Sequence, residues 1–181
     1  ETSENLGLSG APPTQPELLE WLAAEFVNSG WSLKHLHRQI LGSRTFQQSS
    51  APRAEAMSVD PSNRGLWRFP VHRLDAEGIR DLMIAASGVL DPKSSGPYVP
   101  TPRNGDGEVL AEESAPGARA RSVFLQHRRT QVPTWLVNFD APSLVFNCTR
   151  RARTTMPLQS LSLLNSEFTL QRARDLVLRL D

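Results

Sequence analysis

Arg73-Leu-Asp-Ala-Glu-Gly-Ile-Arg-Asp-Leu-Met-Ile-Ala-Ala-Ser-Gly-Val-Leu90 is the stretch on which the reading of this chain turns. Ile79, Leu82, Met83, Ala86 and Leu90 recur at three- and four-residue intervals, which is the period of one helical face. The spacing predicts a helix from about Leu74 to Val89, the clearest amphipathic element in the sequence. Asp75 sits at its start, where a helix N-terminus favours negative charge. Glu77 and Asp81 stand four residues apart and share a face, with Arg73 and Arg80 beside them.

On the N-terminal side, residues 1–13 read as an extended lead-in. Thr14 and Glu17 have capping-box spacing with Pro16 in the first turn, and Leu18, Trp21, Leu22 and Phe26 come next on one face. Asn28-Ser29-Gly30 ends that helix. Ser32 caps a second, with Leu33, Leu36 and Ile40 together and Gly42 closing it, so the pair reads as an αα-hairpin. Phe46 to Ser58 is polar and reads as irregular. Asp60-Pro61-Ser62-Asn63 is a turn signal, and Leu66, Trp67 and Phe69 anchor the next segment to a core.

On the C-terminal side, residues 91–118 are rich in Pro, Gly, Ser and acids. A run of 28 such residues predicts a long loop or mobile linker. Arg121 to Arg129 alternates around Val123, Phe124 and Leu125 and reads as a short strand or hairpin. Pro133 opens a short helix with Trp135, Leu136 and Phe139. Pro157 opens another, with Leu158, Leu161 and Leu164 turned inward. Ser166 caps the last helix, whose Leu170, Ala173, Leu176, Val177 and Leu180 are expected to face the core. The expected fold class is therefore mainly α: an irregular, single helical domain of five or six helices over residues 1–181. Its parts are the lead-in, a helical part at 14–90, the loop at 91–118 and an arginine-rich segment with C-terminal helices at 119–181. The four tryptophans, Trp21, Trp31, Trp67 and Trp135, fall in apolar patterns and are expected in the core.

Charge narrows the function classes. The net charge is only +1, yet seven arginines and one acid, Asp140, lie between Arg119 and Arg153. Eighteen of the twenty basic residues are Arg, whose planar fork favours bidentate pairing over point-charge contacts. Three uses are open to that segment. Arg128, Arg150 and Arg153 pair with Asp140, Glu77 and Asp81 in a half-buried network. Alternatively they bind an anionic polysaccharide, or they stand in solvent. The near-zero total charge and the scarcity of Lys argue against a surface that tracks nucleic-acid phosphates. No apolar run approaches the ~20 residues of a membrane span.

Candidate chemistry is sparse. Cys148 is the one cysteine, so the chain holds no internal disulfide framework, no Cys-rich zinc site and no covalent c-type haem attachment of its own. His35 and His37 project to opposite sides of a helix and cannot chelate one metal there, with His37 the one expected to be half-buried. There is no phosphate loop, dinucleotide fingerprint or Gly-x-Ser-x-Gly. The weak catalytic candidates are Glu77 and Asp81, as the acid–base group of a hydrolase acting on a polymer. That role requires one of them at the floor of an open cleft without an arginine partner.

Several strings occur in a set order. They are Ala11-Pro-Pro-Thr-Gln-Pro-Glu-Leu-Leu-Glu-Trp-Leu-Ala23, Gly30-Trp-Ser-Leu-Lys-His-Leu-His-Arg38, Asp60-Pro-Ser-Asn-Arg64, Leu66-Trp-Arg68, and Arg73 to Asp81 with Ser87-Gly88. Then come Phe139-Asp140-Ala-Pro142, Cys148-Thr-Arg150, Thr154-Thr155 and Gln159-Ser-Leu-Ser-Leu-Leu-Asn165. Together they resemble a domain of unknown function found in secreted planctomycete-type proteins. There it comes after a c-type cytochrome-like domain and a second uncharacterised domain. The resemblance covers about residues 3–175. It implies that the chain is a fragment of a longer, exported, multidomain protein, with haem in a neighbouring domain and the other domains as partners. It carries no activity. The leading expectation is a structural or interaction module that is not an enzyme.

Overall fold

The structure is a computed structural model and describes residue 5 and residues 8–92, 96–143, 148 and 151–180. Among these it is mainly helical, with eight α-helices, one 3-10 turn and no sheet. The chain divides into two compact units, 1–72 and 73–181.

In the first unit, α1 (Pro16–Asn28) and α2 (Leu33–Gly42) form the expected hairpin. The turn is a Schellman motif: Trp31 N donates to Phe26 O and Gly30 N to Val27 O, with Gly30 at φ 69°. Trp31 comes next at φ 62° and stays 68% exposed, its ring meeting Phe26 edge-on at 5.3 Å. Trp21 is exposed too, so only Trp67 and Trp135 are partly withdrawn from solvent. Ser32 caps α2 through His35 N as predicted. The Thr14 capping box does not form, because Gln15 is the residue that precedes the helix and makes no side-chain cap. The polar segment expected to be irregular holds two short helices, α3 (Arg44–Gln47) and α4 (Ala54–Val59). The Asp60 turn is present. Asp60 Oδ2 accepts from Gly65 N at 2.7 Å, and Trp67 Nε1 donates to Asp60 O at 2.8 Å.

In the second unit, α5 (Ala76–Ala86) is the central element. Its buried face is Ala76, Arg80, Ile84 and Ser87, rotated from the predicted face, and Leu82 and Ala86 are exposed. The reason lies in the loop after it. Val99, Val109, Ala118 and Ala120 are buried there and, with Leu125, Leu136 and Phe139, supply most of the core. The described part of 91–118 is thus a structural layer and not a linker. No strand forms at 121–128. Ser122–Phe124 is a 3-10 turn, and single bridges join Val99 to Leu125 and Arg128 to Gln131.

The remaining helices are α6 (Thr134–Asn138), α7 (Pro157–Asn165) and α8 (Glu167–Leu180), and Ser166 caps α8 through Thr169 N. The predicted apolar faces of α7 and α8 are overturned. Gln159, Ser162, Arg172 and Asp175 turn inward, and Leu158, Leu161, Leu164 (69% exposed), Leu170, Ala173, Leu176, Val177 (58%) and Leu180 turn outward. The inward polar groups meet other side chains: Gln159 accepts from Arg73, Ser162 accepts from Asn138, and Arg172 donates to Glu113 and Asp175.

Candidate functional site

Arginines lock the second unit together, and each does so by a different geometry. Arg80 is 5% exposed. From α5 it donates through Nη2 to Ala118 O at 2.7 Å and through Nη1 to Ala120 O at 3.0 Å and Ser122 Oγ at 3.3 Å. Asp81 takes the same loop from the other side, accepting from Ser122 N and Ser122 Oγ, each at 2.7 Å. Burial pulls the pKa of the Arg80 guanidinium down to about 10, partly offset by Asp81 and Glu113. One helical turn thereby holds residues 118–122, which have no regular backbone ladder of their own.

Arg172 performs the matching task from α8. It is 2% exposed, forks onto both oxygens of Glu113 at 3.1 and 2.9 Å and donates through Nε to Asp175 at 3.0 Å. Phe168 lies against both guanidiniums, 5.5 Å from Arg80 and 5.4 Å from Arg172. Its ring face offsets some of the cost of two cations in one apolar region.

Arg73, Asp140, Thr154 and Gln159 form a second cluster. Asp140 lies just after α6 in the left-handed region at φ 66°, a conformation an Asp tolerates. Arg73 Nη2 donates to Asp140 Oδ2 at 2.6 Å, and Arg73 Nη1 donates to Thr154 O and Gln159 Oε1 at 2.7 and 2.8 Å. Thr154 N and Oγ1 also donate to Asp140, at 2.7 and 2.8 Å. The Thr154 amide foremost, with Arg73, holds the Asp140 carboxyl below its ordinary value. In a third cluster Arg151 donates to Glu77 Oε2 at 2.5 Å and lies 3.8 Å from Asp75, which Arg153 approaches at 3.6 Å. Burial raises the Glu77 carboxyl, but the Arg151 bond and charge outweigh it, and the net shift is downward.

The expected network thus has its acids in place and most of its bases exchanged. Asp140, Glu77 and Asp81 are all engaged, but by Arg73, Arg151 and the pair of Arg80 and Ser122. Of the arginines named from sequence, Arg153 pairs, with Asp75. Arg128 is exposed and makes no ion pair among the described residues, and Arg150 lies outside them. Sequence reasoning sets Arg73 and Arg80 beside the α5 acids without assigning their partners, and it passes over Arg172, because the run at 119–153 draws attention to its own arginines. A signal exists for Arg80: it stands four residues from both Ala76 and Ile84, in line with small and apolar side chains. The histidine expectation is also reversed. His35 is the half-buried one, hydrogen-bonded to Glu25 Oε1 at 2.6 Å, and His37 is exposed.

Chemically, these clusters are mostly acceptors and donors matched to each other, with Arg73 Nε buried and unpartnered among the described residues. No three His, Cys, Asp or Glu side chains among the described residues gather to hold a metal ion. No described helix is long and apolar enough to cross a membrane. No curated protein and no solved structure matches the chain. A family model does, over residues 1–181, and the chain belongs to that family, described as PSD1: Protein of unknown function (DUF1553).

Proposed function

We propose that this chain is a structural and interaction module, without catalysis of its own, of an exported multidomain protein whose neighbouring domain carries haem. The observation that carries the reading is the inversion of α7 and α8. Both helices spend their polar faces on the core and present Leu161, Leu164, Leu170 and Val177 to the outside. Exposed apolar helix faces of this kind are characteristic of protein contacts. The resemblance to cytochrome-associated proteins supplies the partner class, the other domains of the parent.

The hydrolase alternative needs Glu77 or Asp81 without an arginine partner. Glu77 carries Arg151, and Asp81 accepts two bonds from Ser122 with Arg80 at 3.7 Å, which counts against that role. The test is Leu164→Glu with Val177→Glu in the parent protein. Stability is expected to change by no more than about 0.5 kcal/mol per site, as for exposed positions. Protection of residues 157–180 from hydrogen exchange, high in the parent, should fall. Unchanged protection would remove the interaction role from these helices.

A further inference from the structure

Arg128, expected inside a network or on an anionic polysaccharide, lines a cavity of about 360 Å³ instead. Pro100, Thr101, Pro102, Glu112 and Gln126 line it too. The two walls are stitched together. Val99 N donates to Phe124 O at 2.7 Å, and Gln126 N donates to Val99 O at 2.8 Å. Thr101 Oγ1 donates to Gln126 O at 2.9 Å, and Gln131 Nε2 donates to Thr101 O at 2.8 Å. Gln126 and Arg128 stand two residues apart and both line this cavity.

Exposed Arg121 and Arg129 make no side-chain bond among the described residues; the charges around this cavity are open in the same way but line one shared space. Arg73, Arg80, Arg151, Arg153 and Arg172 all reach acids. Among the described residues, the Glu112 carboxylate, the Gln126 amide and the Arg128 guanidinium make no side-chain hydrogen bond or ion pair, with each other or elsewhere. Opposite charges that line one cavity without pairing are complementary to a ligand that carries both charges. The Arg fork matches a carboxylate. Glu112 accepts from an ammonium and repels a second anion, which disfavours a sulfated polysaccharide chain. The rings of Pro100 and Pro102 leave an apolar wall for a small side chain.

The geometry points to a site for a small zwitterion of the α-amino-acid type, held by Arg128 at its carboxylate and Glu112 at its ammonium, with Gln126 between. This goes beyond the interaction role of α7 and α8 and uses none of their residues. Three probes of one carbon skeleton test it: L-valine, isovalerate, which lacks the amino group, and isobutylamine, which lacks the carboxylate. Backbone amide shifts of residues 99, 101, 112 and 126–128 would be monitored by nuclear magnetic resonance during titration of the whole chain.

L-Valine should shift these amides saturably, at least about tenfold more tightly than either partial probe, the size of one lost charge-assisted contact. Arg128→Ala and Glu112→Gln should each weaken it about tenfold. Both side chains are exposed, and unshifted amides elsewhere would report an intact fold. Absence of saturable shifts with L-valine overturns the site. Isovalerate binding as tightly as L-valine, or Glu112→Gln binding like wild type, overturns the zwitterion assignment.

Discussion

Arg80 shows how one side chain stands in for secondary structure. Residues 118–122 are buried backbone without a ladder, and the carbonyls of Ala118 and Ala120 are satisfied by this guanidinium. Arg80→Met would keep much of the stem volume and strand those two carbonyls, while the Ser122 hydroxyl keeps its bond to Asp81. A loss of about 3 kcal/mol is expected, the scale for removing one member of a buried polar group. Urea unfolding measures it, and a loss below about 0.5 kcal/mol would mean that water replaces the guanidinium without cost. The residue scale is also where the sequence is least legible. Asp140, Glu77 and Asp81 can be picked out as acids needing partners. Which group reaches Asp81 and Glu77 depends on separations of 41 and 74 residues along the chain, and nothing local encodes that.

Helices α5 and α8 meet at a place where an element's position rests on a missing side chain. Gly88 ends α5 at φ 78°, and a Cβ added there would lie 2.8 Å from Arg179 Cδ of α8. Arg179 Nη1 in turn donates to Ala86 O at 2.8 Å. Gly88→Ala therefore carries both a left-handed backbone penalty and a clash, and should cost more than about 1 kcal/mol by thermal or urea unfolding. An unchanged midpoint would show that Arg179 moves away freely. Helix existence is legible at this scale, because periodicity, Gly30, Ser32, Pro157 and Ser166 are local signals. Helix orientation is not. Apolar periodicity locates a face on α7 and α8 correctly, but carries the assumption that the face turns inward. The core is already occupied by Val99, Val109, Ala118 and Ala120, from a loop whose composition reads as solvent-exposed.

The whole molecule should record the carboxylate clamps in its response to acid. Asp140 and Glu77 both ionise more readily folded than unfolded. Each therefore contributes stability that is fully present above its ordinary value, 3.8 for Asp140 and 4.5 for Glu77, and is lost as pH falls through the lower folded value. Stability should be flat toward neutral pH and decline below about pH 4.5. Asp140→Asn keeps the shape and tolerates the left-handed backbone, so it should shallow that decline while lowering neutral stability. An acid profile identical to wild type would show that the cluster is not coupled to folding. By itself the sequence determined a mainly helical chain, the approximate positions of its longer helices, its lack of an internal disulfide and the identity of the acids that needed partners. Those come from local periodicity, caps and composition. Only the tertiary structure decided which arginines answer those acids, which helical faces are buried and that Glu112 and Arg128 share a cavity. The reason is physical: pairing and burial are set by which distant segments fill the core first, and a short-range pattern holds no record of that competition.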